Sequence, residues 1–255
     1  MKKEIIYIIF ALFITYPSVV SGESQLAKNA FAEGTNHYKE GNYEEALEDF
    51  LEAEKTAEGF AINFNIGNTY FKLNQIPESI LHYERALKYQ PANEDLLYNL
   101  RLANDRIVDK IETLPRSKLN RWWREFRYGM GPDGWGYIAL AWSLVSAFLL
   151  FVFFYSRRRG LKRLGFYGGI IGLILMVLST TLAKSADAFR NTHNSGVVFT
   201  DKVDVKGEPR EESTLVFVLH AGTKVTLVQQ VEDWYEVELA SGNRGWMKAD
   251  DLEEI

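Results

Sequence analysis

Two apolar runs constrain this chain more than anything else in it. Trp135–Tyr155, WGYIALAWSLVSAFLLFVFFY, holds 21 residues without a charge, and Leu164–Ala183, LGFYGGIIGLILMVLSTTLA, holds 20. A bilayer's hydrocarbon core needs about 20 apolar residues in helical form. Both runs therefore read as transmembrane helices; as buried helices of a soluble core they would strand the arginines that flank them. Only Ser156–Arg163 separates them, so the pair reads as a helical hairpin. Five of those eight residues are cationic: Arg157, Arg158, Arg159, Lys162 and Arg163. Short basic loops are retained on the cytoplasmic side. These side chains are therefore the candidate topology determinants, and they put the rest of the chain across the membrane. Gly168, Gly169 and Gly172 place small residues on one side of the second helix, where it can approach the first closely.

The opening, MKKEIIYIIFALFITYPSVVSGES, predicts the same arrangement. Lys2 and Lys3 precede 12 apolar residues from Ile5 to Tyr16, and Ser21 and Gly22 offer a small-residue cleavage point. That is short for a span and suits an export signal over residues 1–22. A retained anchor is the alternative, and it leaves the topology unchanged. The charge distribution agrees. Residues 23–112 carry 17 acidic and 9 basic side chains and residues 191–255 carry 13 and 6, whereas residues 113–190 carry 3 and 12. Two acidic, water-exposed modules thus flank a basic, apolar centre. This speaks against a nucleic-acid partner, which needs a basic face on a folded domain. Residues 113–133 read as an interfacial segment on the lipid bilayer. Leu119, Trp122, Trp123 and Phe126 share one helical face, with Arg121, Arg124 and Arg127 off it at headgroup level. On the outer side that segment runs against the simple charge rule. The expected localisation is the cytoplasmic (inner) membrane, multi-pass, with both modules periplasmic.

The N-terminal module repeats itself at an offset of 33. Gly34 matches Gly67, Tyr38 matches Phe71, Ala46 matches Ser79, Phe50 matches Tyr83 and Ala53 matches Ala86. Small residues at fixed positions let paired helices approach, and aromatics fill the space between neighbours. The order of small residue, aromatic, alanine, aromatic, alanine, then Pro91 resembles the tetratricopeptide family. Asn93 onward begins like a third repeat and reads as a long capping helix before Pro115. The resemblance implies a concave partner-binding surface formed by Phe31, Thr35, Tyr38, Phe64, Asn68, Phe71 and Tyr98. Aromatics there, where chaperone-tail binders of that family hold lysine, imply an apolar ligand. Packing of the same rings within the repeats is the alternative use.

From Gly196 the periodicity falls to two, with VVFT, LVFVL, KVTLVQQ, WYEVEL and RGWM as short strand-like runs. About five strands in so few residues predict a small closed barrel. The Ala-Gly-Thr-Lys-Val turn, Trp234-Tyr235, Gly242, Gly245-Trp246 and Asp251-Leu252 resemble the bacterial SH3-like family. VDVKGEPREES resembles its long first loop. That resemblance implies a ligand face of Trp234, Tyr235 and Trp246 toward proteins or peptidoglycan. Tyr235 and Trp246 also suit core positions.

No cysteine is present, which excludes disulfides and thiolate chemistry. Neither a nucleotide loop nor a nucleophile elbow is visible. His37, His82, His193 and His220 are scattered over different elements, and no metal-ligand spacing occurs. The expectation is therefore not an enzyme, with no cofactor and no metal. The fold class expected is multidomain: tetratricopeptide-like helical repeats, a two-helix transmembrane hairpin, and an all-β SH3-like barrel. That order over the full length resembles the BatE family of the Bacteroides aerotolerance group. The resemblance implies a membrane-anchored interaction scaffold that acts with other Bat proteins, with a link to stress tolerance. A cell-wall-binding sensor and a regulated enzyme subunit are the alternatives.

Overall fold

The computed structural model describes residues 23–110, 122–123, 126–191 and 194–255. The predicted export signal, Leu119, Arg121 and Arg124 of the predicted interfacial segment, and His193 lie outside the described residues. The described residues form two separate units, 23–57 and those from 58 to 255.

In the first unit, α1 (Glu23–Glu40) and α2 (Tyr43–Glu54) pair as a helical hairpin. Gly34 permits the pairing, because a Cβ built there would lie 2.9 Å from the Phe50 ring. Ala46, Phe50 and Ala53 are fully buried along the facing side of α2. The turn between the helices is left-handed at Gly41, with φ +88°.

The second unit begins with the same construction 33 residues on. In α3 (Phe60–Lys72) and α4 (Ile76–Tyr89), a Cβ at Gly67 would lie 2.6 Å from Tyr83. Asn74 takes the left-handed turn position with φ +63°; asparagine tolerates this region because its short polar side chain bonds locally. Ser79 Oγ donates to the Gly67 carbonyl at 2.8 Å, so its burial leaves no unsatisfied hydroxyl. Helix α5 (Glu94–Asn104) starts at Asn93, whose side chain accepts from Leu96 N at 3.0 Å. The predicted long capping helix is instead these 11 residues. Lys110 Nζ closes its end by donating to the carbonyls of Asn104 (3.1 Å) and Asp105 (2.8 Å).

Helices α6 (Gly131–Tyr155) and α7 (Arg159–Arg190) are both long and apolar enough to cross a membrane. At 1.5 Å per residue they run about 37 and 48 Å, against about 30 Å of hydrocarbon. They pack through the small-residue side of α7. A Cβ at Gly165 would lie 2.6 Å from the Leu149 carbonyl, at Gly169 2.7 Å from Leu150, and at Gly172 2.9 Å from Ser146. Ser146 Oγ donates to the Gly169 carbonyl at 2.8 Å, which satisfies a buried hydroxyl inside the hairpin. The basic loop is shorter than predicted. Ser156–Arg158 makes the turn, and Arg159, Lys162 and Arg163 already belong to the first turns of α7. Beyond Ala183, where the second apolar run ends, α7 continues through Arg190.

The C-terminal part is all β, in seven strands: β1 (Ser195–Val198), β2 (Lys202–Lys206), β3 (Leu215–His220), β4 (Lys224–Val231), β5 (Trp234–Glu238), β6 (Arg244–Lys248) and β7 (Leu252–Glu254). They form one antiparallel sheet in the order β3-β2-β6-β5-β4-β1-β7. This corrects the expected closed barrel of five strands. The sheet is open, because its two outer strands, β3 and β7, do not pair with each other. The free side of β7 is met by α4: Arg85 Nη2 donates to the Glu254 carbonyl at 3.0 Å, and Lys88 Nζ to the Ile255 carbonyl at 2.7 Å. Two of the strands escaped prediction: β2, read as part of a long loop, and β7, three residues long. Val198, Val203, Val205, Leu219, Val225, Val237, Leu239, Met247 and Leu252 form the β core.

Candidate functional site

The predicted site residues fall into three groups. In the first unit, Phe31 is half-buried against Phe50, with ring centroids 5.5 Å apart. Thr35 Oγ1 donates to its own helix at the Phe31 carbonyl, 2.8 Å. Tyr38 meets Tyr43 edge-on at 5.3 Å, and burial raises its phenol above the ordinary range. These side chains thus serve the packing of the α1–α2 hairpin.

In the second unit, α3 and α5 carry the remaining four. Phe64 stacks on Phe60 at 5.3 Å and leans on Tyr83 at 6.2 Å. Asn68 Oδ1 accepts from Tyr83 Oη (2.8 Å) and from Asn99 Nδ2 (2.9 Å), which ties α3, α4 and α5 together. Phe71 lies beneath the Arg106 guanidinium, 4.0 Å from its carbon to the ring centre. Tyr98 is 57% exposed. Tyr98 is therefore the exposed aromatic of the predicted surface, and Arg106, an exposed residue outside the predicted set, covers the half-buried Phe71. Phe64 and Asn68 hold that surface in shape.

In the β module, register separates the three predicted ligand residues. Trp234 pairs with Lys248, Glu236 with Trp246, and Tyr235 with Met247. Side chains alternate along a strand, so Trp234 and Trp246 share the outer face with Glu236 and Lys248. Tyr235 is on the core side with Met247, and its hydroxyl donates to Glu254 Oε1 at 2.6 Å. That hydrogen bond is the main reason its phenol is raised above the usual range. Lys248 reaches over Trp234 at 5.9 Å and pairs with Glu211; that pairing holds the Glu211 carboxyl below and the Lys248 ammonium above their ordinary values.

Sequence reasoning missed the junction between the second repeat hairpin and the β module. Val197 and Ile255 enter a shared apolar cluster with Ile80, Leu81, Tyr83, Ala86, Leu96, Leu100 and Ala103, flanked by Ile107 and Phe199. Burying Val197 and Ile255 there contributes about 1.5–3 kcal/mol each. The approach is close: Gly222 has φ +87°, and a Cβ on it would lie 2.5 Å from Ile107 Cγ2. Around the cluster runs a polar rim. Lys224 Nζ meets the nearly buried Glu84 at 2.6 Å, and Arg85 Nη2 meets Glu253 at 2.8 Å. Asp109 accepts three hydrogen bonds, from His220 N (2.7 Å) and Thr223 Oγ1 (2.7 Å) on Oδ2 and from His220 Nδ1 (2.9 Å) on Oδ1. Burial opposes ionisation of Asp109, but the hydrogen bonds from Thr223 and His220 outweigh it and hold its carboxyl below the usual range. Burial likewise pushes the Lys88 ammonium down.

At the last residue of α4, next to Lys88, the Arg190 guanidinium of α7 lies over the Tyr89 ring at 4.8 Å. Arg127 pairs with Ser185, and Tyr128 stacks on Phe189 at 4.3 Å. Trp122, Trp123, Phe126 and Met130 are exposed beside the start of α6. Helix α4 thus touches both the β module and the end of the apolar hairpin.

Comparison with known families agrees with these modules. Residues 67–104 match the TPR repeat, and residues 201–253 match the bacterial SH3 domain. No curated protein matches the chain. The chain therefore combines a helical repeat and a β domain, both of kinds whose partners are proteins.

Proposed function

We propose that this protein is a membrane-anchored, non-catalytic interaction scaffold of the bacterial envelope, BatE-like, with a link to aerotolerance or stress through a complex with other Bat proteins. In this reading α6 and α7 anchor it in the cytoplasmic membrane, the Arg157–Arg163 tip faces the cytoplasm, and both modules face the periplasm. One observation carries the proposal. Helix α4 buries one side against β1 and β7, while Tyr98 and Arg106 are exposed and the half-buried Phe71, Trp234 and Trp246 keep part of their surface at the solvent. Partly accessible aromatics beside a charged group are the composition of interaction hot spots. The placement of Trp234 and Trp246 on one open sheet face also favours a second reading, a cell-wall sensor that binds peptidoglycan through the β module.

Reporter fusions after Glu112, within Arg157–Arg163 and after Ile255 test the orientation: only the loop fusion is expected to be cytoplasmic. Partner capture from solubilised envelope membranes tests the scaffold. Phe71→Ala with Tyr98→Ala is expected to lower capture at least tenfold, and Trp234→Ala to lower retention on purified wall fragments if the sensor reading holds. Cytoplasmic activity of both end fusions would overturn the envelope assignment.

A further inference from the structure

We propose that Asp105–Lys110 is a coupling strap that links occupancy of the Phe71 face to docking of the β module on α4. The strap touches both surfaces within four residues. Arg106 lies over the Phe71 ring at 4.0 Å and reaches Asn74 Oδ1 at 3.4 Å. Ile107, the next residue, fills the space left by the missing side chain of Gly222. Asp109, two further on, binds the His220 backbone, the His220 ring and the Thr223 hydroxyl. Lys110 then folds back onto the carbonyls of Asn104 and Asp105, so the strap is anchored to the helix it leaves.

The two arrangements of this element follow from its contacts. With the strap down, a cation covers Phe71, Ile107 supports the β3–β4 turn, and Asp109 satisfies donors that include the hydroxyl of the fully buried Thr223. A partner side chain that stacks on Phe71 must displace Arg106. That shift acts within three residues on Asp109, whose loss strands His220 N–H and Thr223 O–H. Groove occupancy therefore favours release of β1 and β7 from α4, and by linkage a docked β module disfavours a ligand on Phe71. Release would uncover Val197, Ile255 and the outer edge of β7, which Arg85 and Lys88 now cap. The coupling rests on the reading of the Phe71 face as a ligand surface, but its test needs no ligand.

Hydrogen exchange of the full chain in lipid nanodiscs is compared for the parent, Arg106→Ala and Thr223→Val. Arg106 engages α3 and the turn that follows it, whereas Thr223 engages the far end of the strap. The expected result is reciprocal: Arg106→Ala speeds exchange at residues 195–198 and 252–255 about fivefold or more, and Thr223→Val does the same at residues 70–75. Strands β5 and β6 serve as the folded control. If Thr223→Val does not fold, Asp109→Asn carries the same comparison. Effects confined to each variant's own side would overturn the coupling. Capture of a partner that is insensitive to Phe71→Ala would overturn the surface reading alone.

Discussion

Removing the Asp109 carboxylate should undock the β module from α4 without unfolding it. Asp109→Ala leaves two donors at the junction, His220 N–H and the buried Thr223 hydroxyl, with no acceptor. A buried donor left unsatisfied costs about 1–3 kcal/mol; with the full range for the buried Thr223 hydroxyl and about 1 kcal/mol for the half-buried His220 N–H, the docked arrangement should lose about 2–4 kcal/mol in total. At tenfold per 1.4 kcal/mol, the open population should rise about 30- to 700-fold. The chain contains no cysteine, so Val197→Cys gives a single thiol, buried at the junction, for alkylation to report opening. The rate in the Val197→Cys background should accelerate by that factor on adding Asp109→Ala. An acceleration below about threefold would refute the reasoning, because it would mean that water or another group serves those donors equally well. The pH dependence has a defined sign. A carboxyl held below its unfolded value stabilises the docked form above that value, about 3.9, and the contribution is lost as pH falls through the lower folded value. The Asp109 contribution to protection of the introduced thiol should therefore stay level from about pH 7 to 5 and fall below about pH 4. Glu84 and Glu253 face Lys224 and Arg85 in the same junction, so the part due to Asp109 is the difference between the whole profile and that of Asp109→Asn.

Other perturbations probe the packing. Gly222→Ala forces a side chain into a left-handed backbone and onto Ile107; a loss of about 2–4 kcal/mol in junction stability should appear in the same alkylation assay. Gly67→Ala drives a methyl into Tyr83, and about 1–3 kcal/mol of overpacking should lower the melting midpoint of the α3–α4 hairpin, followed by exchange at residues 60–89. His82 is buried, and burial followed by the Arg85 charge pushes its pKa down to about 3. It stays neutral in the folded state while the unfolded chain protonates near 6.5, so stability should drop by about 2 kcal/mol between about pH 7.5 and 5. His82→Gln should flatten that slope in acid titrations. Replacing Arg157, Arg158, Arg159, Lys162 and Arg163 by glutamine should scramble the orientation in reporter fusions; an unchanged orientation would remove these residues as topology determinants.

The sequence showed best what is periodic and local. Gly34 and Gly67 were legible as close-approach sites because each pairs with an aromatic 16 residues on, at Phe50 and Tyr83, and the repeat makes the coincidence visible twice. The apolar hairpin was legible from run length alone. Strand β2 was not, since Lys202-Val203-Asp204-Val205-Lys206 presents only two valines between charges and lies beside turn-rich residues. Strand aromatics were legible by type but not by side: Trp234 and Tyr235 are neighbours in sequence and opposite in the sheet, and only register tells them apart.

The junction was invisible for a different reason. Asp109 and His220 are 111 positions apart, and each alone looks like any solvated polar side chain. Nothing local marks a carboxylate as the acceptor for a distant turn. The same holds for the unclosed sheet. Closure depends on what the edge of β7 meets, and here it meets the side chains of Arg85 and Lys88, which nothing in the sequence sets apart from other basic positions. An edge strand must be paired, covered or charged to stay monomeric. In this chain a repeat helix does the covering. The β module consequently cannot be assumed to keep its β1–β7 edge protected when cut away from residues 58–110. Ligand tests on an isolated 195–255 fragment would present an edge that the whole protein hides, and a binding signal there that the full chain lacks should be assigned to that edge.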